Sequence, residues 1–191
     1  ITDTINMSIG QGLVGVTPLQ LAVQATRLGA FGKEVEPSII RPKNGIARRD
    51  WPSMNINPDH MKAVHAGMVG VTSEPGGTAN APFGIEGVKI AGKTGTAQVR
   101  RITMAERAGG VRSNASLEWK LRDHGLFICF GPADNPKYAC SVIVEHGGGG
   151  ARAAAPRARE MMKAVILKDP SSMKAYNPWE NIAKKDGSEN G

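Results

Sequence analysis

The sequence predicts an α/β domain in which an antiparallel sheet is flanked by helices. Three observations carry this prediction. Segments 88–99, 125–131 and 138–146 have strand composition, and the last two are joined by Pro132-Ala133-Asp134-Asn135-Pro136, a hairpin signal. Segments 18–31, 57–71 and 153–167 instead repeat apolar residues at helical spacing. The composition, 40% hydrophobic and 21% charged over 191 residues, is that of one globular domain able to bury a core. Chain order makes the three strands neighbours, each antiparallel to the next.

Residues 2–9 read as a short extended segment, polar through Thr2, Asp3, Thr4 and Asn6. It leads into Gly10-Gln11-Gly12-Leu13-Val14-Gly15, which satisfies the dinucleotide fingerprint G-x-G-x-x-G. That fingerprint needs a buried apolar strand before the glycines and a helix beginning inside them, so that the helix N-terminus meets the pyrophosphate. Here the preceding segment is polar, and the helix begins later, with Thr17 as N-cap and Pro18 at the first helical position. Glu34 and Glu36 lie near the distance for a ribose acid, but Pro37 follows at once. The stretch is read as a structural loop and no cofactor is expected. Dinucleotide binding stays as an alternative, which saturable binding of NAD or FAD would revive.

The helix at 18–31 carries Leu21, Ala25 and Leu28 on one stripe and is stopped by Gly29 and Gly32. Residues 35–41 form a short edge strand limited by Pro37 and Pro42. Arg41, Lys43, Arg48 and Arg49 then make a basic loop, read as a solvated surface. Asn57-Pro58-Asp59 opens the second helix with a cap, a proline and an acid at the positive end of the dipole. Its buried stripe is predicted as Met61, Val64, Met68 and Val71. His60 and His65 lack partners at metal-ligand spacing and are read as helix-surface groups, so no metal is expected. Residues 73–78 are a turn cluster.

The strand at 88–99 has β-branched ends at Val88, Ile90 and Val99, while its middle is Gly92-Lys93-Thr94-Gly95-Thr96. Glycines weaken a strand interior unless something approaches it closely. Lys93 brings a cationic point charge, and Thr94 and Thr96 share one face by the period of two. An extended peptide ending in a carboxylate suits this arrangement. Main-chain bonds hold its backbone, and lysine and threonine hold its terminus.

About two dozen residues, 100–124, follow with little apolar content before Leu117. Arg100, Arg101, Arg107 and Arg112 crowd this loop, and Gly109-Gly110 is expected to leave it mobile. A loop this long leaving the strand is expected to border the substrate groove. Residues 116–122 read as a short helix. Cys129 and Cys140 lie nearly symmetrically about the hairpin turn. A disulfide and two buried free thiols both fit, and small core residues are the preferred reading. Residues 147–150 are four glycines without the lysine and Ser/Thr of a P-loop, so they read as a flexible corner. The last helix, 153–167, has Pro156 in its first turn and an apolar face with Met161, Val165 and Ile166. From 168 to 191 the chain is polar and expected to be poorly ordered, with Trp179 as one possible contact.

The net charge of +7 allows a polyanionic partner or an anionic membrane face, but 5% aromatic residues without basic interleaving argue against nucleic acid. No apolar run approaches 18 residues, so no bilayer-spanning segment is predicted. No signal peptide opens the sequence, and Ile1 reads as a cut, not a native start.

Lys93-Thr94-Gly95-Thr96 resembles the K-T-G box of the penicillin-recognising serine acyl-transferases. Gly10-Gln11-Gly12, Thr17-Pro18-Leu19-Gln20, Gly76-Gly77-Thr78-Ala79, Ala97-Gln98-Val99 and Arg122-Asp123-His124 extend the resemblance to class B penicillin-binding proteins of the elongation type. It runs from about residue 4 to about 167, the C-terminal half of a transpeptidase domain, and implies an incomplete β-lactamase-like fold. It also implies a peptidoglycan D,D-transpeptidase as parent, on the periplasmic face of the bacterial inner membrane with elongation-complex partners and its anchor elsewhere. A periplasmic setting would permit a disulfide. By the same resemblance, Lys93 supplies positive potential, and Thr94 and Thr96 bind the carboxylate of a D-alanyl-D-alanine stem peptide or a β-lactam. Gly95 permits close approach, the Thr96 N–H forms half of an oxyanion hole, and His124 is structural, holding the long loop against the next strand.

The family's nucleophile and base, S-x-x-K, and its S-x-N precede the box. Ser171-Ser172-Met173-Lys174 and Ser188-Glu189-Asn190 follow it in the polar tail, and Ser53-Met54-Asn55 lies in a proline-bounded loop. None is assigned to catalysis, and the chain alone is expected to be inactive. A non-catalytic peptidoglycan-binding or sensor module is the alternative, and an upstream S-x-x-K before an apolar helix would decide against it. With the serine-bearing helix missing beside the box, the chain is expected to self-associate or to need the missing half.

Overall fold

The structure, a computed structural model, describes residues 2–12, 14–40, 50–83, 85 and 87–169. Strands β1 (Ala91–Ala97), β2 (His124–Gly131) and β3 (Tyr138–Val144) form one antiparallel sheet in the order β1-β2-β3. Its register sets Thr94 opposite Phe127 and Cys129 opposite Cys140. The predicted neighbours and directions are those observed, although the first strand is shorter than 88–99. Val88 closes an isolated bridge with Ile85, and Lys89 O accepts from Ala133 N at 2.8 Å, so these residues lead into the sheet without joining a named strand.

Helices α2 (Pro18–Gly29) and α3 (Pro58–Ser73) pack on one sheet face, where Met68, Ala91 and Phe130 form a buried cluster with Leu28 beside it. The other face carries the short turn α4 (Asn80–Phe83) and, after the hairpin, α6 (Gly150–Ala153) and α7 (Ala155–Lys168). There the larger cluster gathers Phe83, Ile90, Phe127, Cys129, Cys140, Ala155, Ala158 and Met162. Alternation along β2 divides the two cores, because Cys129 and Phe130 are adjacent and point oppositely. The caps act as the sequence indicates. Thr17 and Gln20 form a reciprocal capping box on α2, and the Asn57 side chain accepts from Asp59 N.

Several expectations are corrected. Residues 2–8 form a helix, α1 (Thr2–Ser8), not an extended segment. Among the described residues this segment pairs with no strand, and a helix is the conformation that forms backbone hydrogen bonds within the segment. Residues 35–40 form no strand: Pro37 removes a donor, and among the described residues the Lys33–Ser53 bridge is what forms nearby. Residue 41, the basic cluster at Arg41, Lys43, Arg48 and Arg49, and the tail from 170 onward lie outside the described residues. On α3 the buried stripe is Met61, His65, Met68 and Thr72, one position round from Val64 and Val71. His65 is therefore not a surface group. Its Nε2 lies 2.6 Å from Leu28 O, and its ring sits between those of Phe31 and Phe130. On α7 the innermost residues are Ala155, Ala158 and Met162, while Met161 faces outward. Alanines are used there because helix and sheet approach closely. The 116–122 helix is replaced by two 3-10 turns, Asn114–Ser116 and Trp119–Leu121.

Cys129 and Cys140 are buried free thiols facing each other across the β2–β3 pair. Their mutual hydrogen bond, followed by burial, pushes the Cys129 thiol well above the ordinary range, which keeps it protonated and unreactive.

Candidate active site

Strand β1 lies at the edge of the sheet, and among the described residues its outer side is paired with no other strand. Lys93, Thr94, Gly95 and Thr96 occupy its middle, with Lys93 and Thr96 exposed. Pleating directs Thr94 and Thr96 to the face of Phe127, and Lys93 and Gly95 to the other. The Lys93 ammonium donates to its neighbour's carbonyl, Thr94 O, at 2.7 Å. Thr78, from the turn before α4, places its hydroxyl 3.0 Å from that of Thr94. From the other end of the chain, Gln11 Nε2 donates to Thr96 O at 3.0 Å. Three segments that the sequence analysis grouped only by resemblance thus meet on one strand. The glycines at 10 and 12 follow a helix and precede α2 by several residues, so they lack the strand–turn–helix setting of a dinucleotide loop.

The floor beneath this strand is Gly150. A Cβ placed there would lie 2.4 Å from Gly95 O, 3.0 Å from Gly95 N and 2.2 Å from Leu126 O. The first turn of α6 therefore rests directly on the backbone of the K-T-G strand. The four-glycine corner is a close-packing device, and reading it as flexibility missed its role. The signal for this role was the position of the run, between a strand and a helix that must cross the sheet closely.

The connection from β1 to β2 is built up more than its composition suggested. Helix α5 (Met104–Gly109) forms within it, with Thr103 capping through a bond from Glu106 N at 3.2 Å. Arg100 grips Glu106 with two bonds of 2.6 Å, and Arg112 N adds one of 3.2 Å. These three residues clasp the loop across its neck. The Arg100 hydrogen bonds, more than any other influence, hold the Glu106 carboxyl down at about 2. Glu106 is a functional contact that was not evident among the loop's arginines. Thr103-Met104-Ala105-Glu106 has the T-x-x-E form of a capping box, which was the available signal.

A pH dependence follows, with its sign set by linkage. A carboxyl held below its unfolded range stabilises the folded state above that range and loses its effect as pH falls through the folded value. The stability difference between the native chain and Glu106→Gln should therefore stay constant from pH 7 to about 5 and shrink from about 4 towards 2. Urea titrations of both proteins across this range check it, and a pH-independent difference would contradict the clasp.

At the far end of the loop, His146 N donates to His124 Nδ1 at 2.8 Å, and His146 Nδ1 lies 2.9 Å from Arg122 O. The His146 ring contacts both Trp119 and His124 edge-on, with centroids 4.5 and 4.6 Å away. Asn114 Oδ1 accepts from Asp123 N at 2.8 Å. His124 thus joins the loop's exit to the end of the hairpin, and His146 is the partner that sequence reasoning had not named. Ser53 uses its hydroxyl locally, accepting from Asn55 N at 3.1 Å.

A three-stranded antiparallel sheet with helices on both faces and Lys93-Thr94-Gly95-Thr96 on an edge strand is part of the penicillin-binding transpeptidase fold. The chain belongs to the family described as the penicillin binding protein transpeptidase domain, whose profile matches residues 2–163. Within it, the similarity is to class B proteins of the PBP2/MrdA type. The chain is 34% identical over 182 residues to peptidoglycan D,D-transpeptidase MrdA of Haemophilus influenzae, covering 92% of this chain and 27% of that protein. Pseudomonas aeruginosa PBP2, solved in complex with WCK 5153, is similar at 33% identity with a TM-score of 0.68, over 91% of this chain and 34% of that one. Helicobacter pylori PBP2, solved in complex with MreC, is similar at 28% identity with a TM-score of 0.67, over 87% of this chain and 28% of that one. The chain thus spans about a quarter to a third of the length of these relatives.

Proposed function

We propose that this chain is the C-terminal half of the catalytic domain of an elongation-type peptidoglycan D,D-transpeptidase. On this reading it carries the substrate-binding K-T-G strand, while the nucleophilic serine belongs to sequence outside it. The observation that carries the reading is the outer edge of β1 at Lys93-Thr94-Gly95-Thr96, which no strand among the described residues pairs. A stem peptide ending in D-alanyl-D-alanine adds to that edge as a strand. The Thr94 and Thr96 hydroxyls and the Lys93 charge receive its carboxylate, and the Thr96 N–H faces the carbonyl oxygen on which charge develops. A β-lactam uses the same contacts. No metal or organic cofactor enters the scheme. On this reading the parent acts on the periplasmic face of the bacterial inner membrane with elongation-complex partners and an anchor elsewhere; no described helix is long and apolar enough to cross a membrane. The domain ends at about residue 167 and a polar tail follows. Asp169 supports that boundary, pinned by Tyr138 and by Lys137 Nζ at 3.5 Å just after α7 ends.

Half an oxyanion hole and a carboxylate site form no covalent bond. Binding and oxyanion contacts alone leave about 10³–10⁴ over water in serine hydrolases stripped of a triad member. The 191-residue chain should therefore show no covalent labelling by a fluorescent penicillin under conditions that saturate an intact transpeptidase. A longer chain bearing an upstream S-x-x-K should be labelled, and Lys93→Ala or Thr94→Val in that longer chain should weaken labelling. Stoichiometric acylation of one serine in the 191-residue chain, mapped by mass spectrometry, overturns the proposal.

Self-association is the second expected behaviour. Ile5, Met7, Ile9, Val14, Val16 and Leu19 are all about half exposed or more within one short stretch, beyond what isolated surface apolar residues amount to. Light scattering at tens of micromolar should show dimers or larger species, or a co-purifying chain that covers them. A clean monomer without one would count against it.

A further inference from the structure

Thr78 stands on an exposed turn, and the end of α3 fixes that turn against β1. Two hydrogen bonds set the spacing. The Thr72 hydroxyl donates to Ile90 O, one residue before β1, and Val71 O accepts from Ala79 N at 2.9 Å, one residue after Thr78. Gly77 lies flat on the same helix end, where a Cβ would come within 2.3 Å of Gly70 O and 2.6 Å of Val71 O. Ala79 is fully buried in the cluster with Phe83. Thr78 is thus held from both sides, and its hydroxyl lies 3.0 Å from that of Thr94. Among the described residues neither hydroxyl has a second partner, so each keeps hydrogen-bonding capacity for a ligand.

The direction of a bond between two hydroxyls is open until a third group sets it. An ionised carboxylate only accepts, so a terminal carboxylate received at Thr94 takes that residue's proton. Thr94 then has only lone pairs to offer Thr78, and Thr78 becomes the donor. We propose that Thr78 is a positioning residue for carboxylate recognition: its hydroxyl donates to Thr94 Oγ1 and so turns the Thr94 proton towards the peptide terminus. This inference rests on the peptide-edge reading of β1. Two consequences follow from the pairing. Thr94 takes up the carboxylate without giving up the bond it already has. A hydroxyl that accepts a hydrogen bond is also polarised into a better donor. The Lys93 ammonium supplies attraction without direction, and the threonine pair supplies the direction. A neutral terminal amide gains less from the same pair, because bonds to an ionised acceptor are roughly twice as strong.

The test is an NMR titration of the 191-residue chain with acetyl-D-Ala-D-Ala and with the same peptide as C-terminal amide. The native chain should prefer the acid. Thr78→Ala should lower the acid-to-amide affinity ratio about two- to tenfold, the worth of one hydrogen bond. Thr78→Ser restores the hydroxyl without the methyl and should restore the ratio. In a Thr94→Ala background, Thr78→Ala should leave the ratio where Thr94→Ala alone puts it, because Thr78 acts through Thr94. Position 78 is exposed and serine keeps the group in question, so loss of the fold does not confuse the result. A ratio that survives Thr78→Ala, falls equally with Thr78→Ser, or falls further in the Thr94→Ala background overturns the positioning role alone, provided the native chain prefers the acid. If the native chain binds acid and amide alike, the peptide-edge reading falls with it.

Discussion

Gly150→Ala should destabilise the chain by about 3 kcal/mol or more, at the upper end of what overpacking costs. The reason is the identity of the atoms in the way. A methyl at this position meets Leu126 O at 2.2 Å and Gly95 O at 2.4 Å, and both are backbone oxygens of paired strands. A flexible side chain would swing aside, but a carbonyl in a β-ladder moves only with its strand. Relief therefore comes from lifting α6 off the sheet or from displacing β1 at Gly95, and either disturbs the candidate site. Urea unfolding gives the loss of stability. In a longer chain with its serine, penicillin labelling should fall further than the unfolded fraction accounts for. Unchanged stability in Gly150→Ala would mean that α6 does not rest on the strand.

Phe127→Ala should cost about 3–5 kcal/mol, the usual range for an aromatic core truncation. Phe127 is fully buried, stacks on Phe83 with ring centroids 4.9 Å apart, and is the side chain around which α4, α7 and the sheet meet. It also occupies the space above Gly92, where a Cβ would come within 2.4 Å of Cζ. This gives the prediction a second, sharper part. Gly92→Ala should be clearly destabilising in the native chain and much less so once Phe127 is alanine, because the methyl then enters the cavity. A double-mutant cycle measured by urea unfolding should show coupling of about 1 kcal/mol or more, and additive costs would show that the two positions do not share that space.

The two glycines differ in how legible they were. Gly92 stands in a strand with the K-T-G residues, where a missing side chain is itself a sign of close approach. Gly150 ends a run of four glycines, and such a run is locally indistinguishable from a flexible corner. Only the path of α6 over β1 separates the two meanings. His65 makes the same point from a polar residue. Its helical position was clear from the Asn57-Pro58-Asp59 start, but which face of α3 is buried depends on where Leu28 O and the rings of Phe31 and Phe130 lie.

What the sequence by itself determined is whatever rests on short-range chemistry. The capped starts at Thr17 and Asn57, the hairpin around Pro132 and Pro136, the strand carrying Lys93-Thr94-Gly95-Thr96 and its family membership all depend on neighbouring residues and fixed periods. Three features were decided only by tertiary structure. Gln11 and Thr78 reach β1 from 85 and 16 residues away, respectively. Glu106 is claimed by Arg100 and thereby turns a long basic loop into a held one, leaving Arg101 and Arg107 to line a cavity. Residues 2–8, with the β-branched and polar content of a strand, became a helix because a strand exists only where another strand offers it hydrogen bonds. A helix satisfies its backbone from within, whereas an edge, a clasp or a stripe's facing is a property of partners that local sequence does not contain.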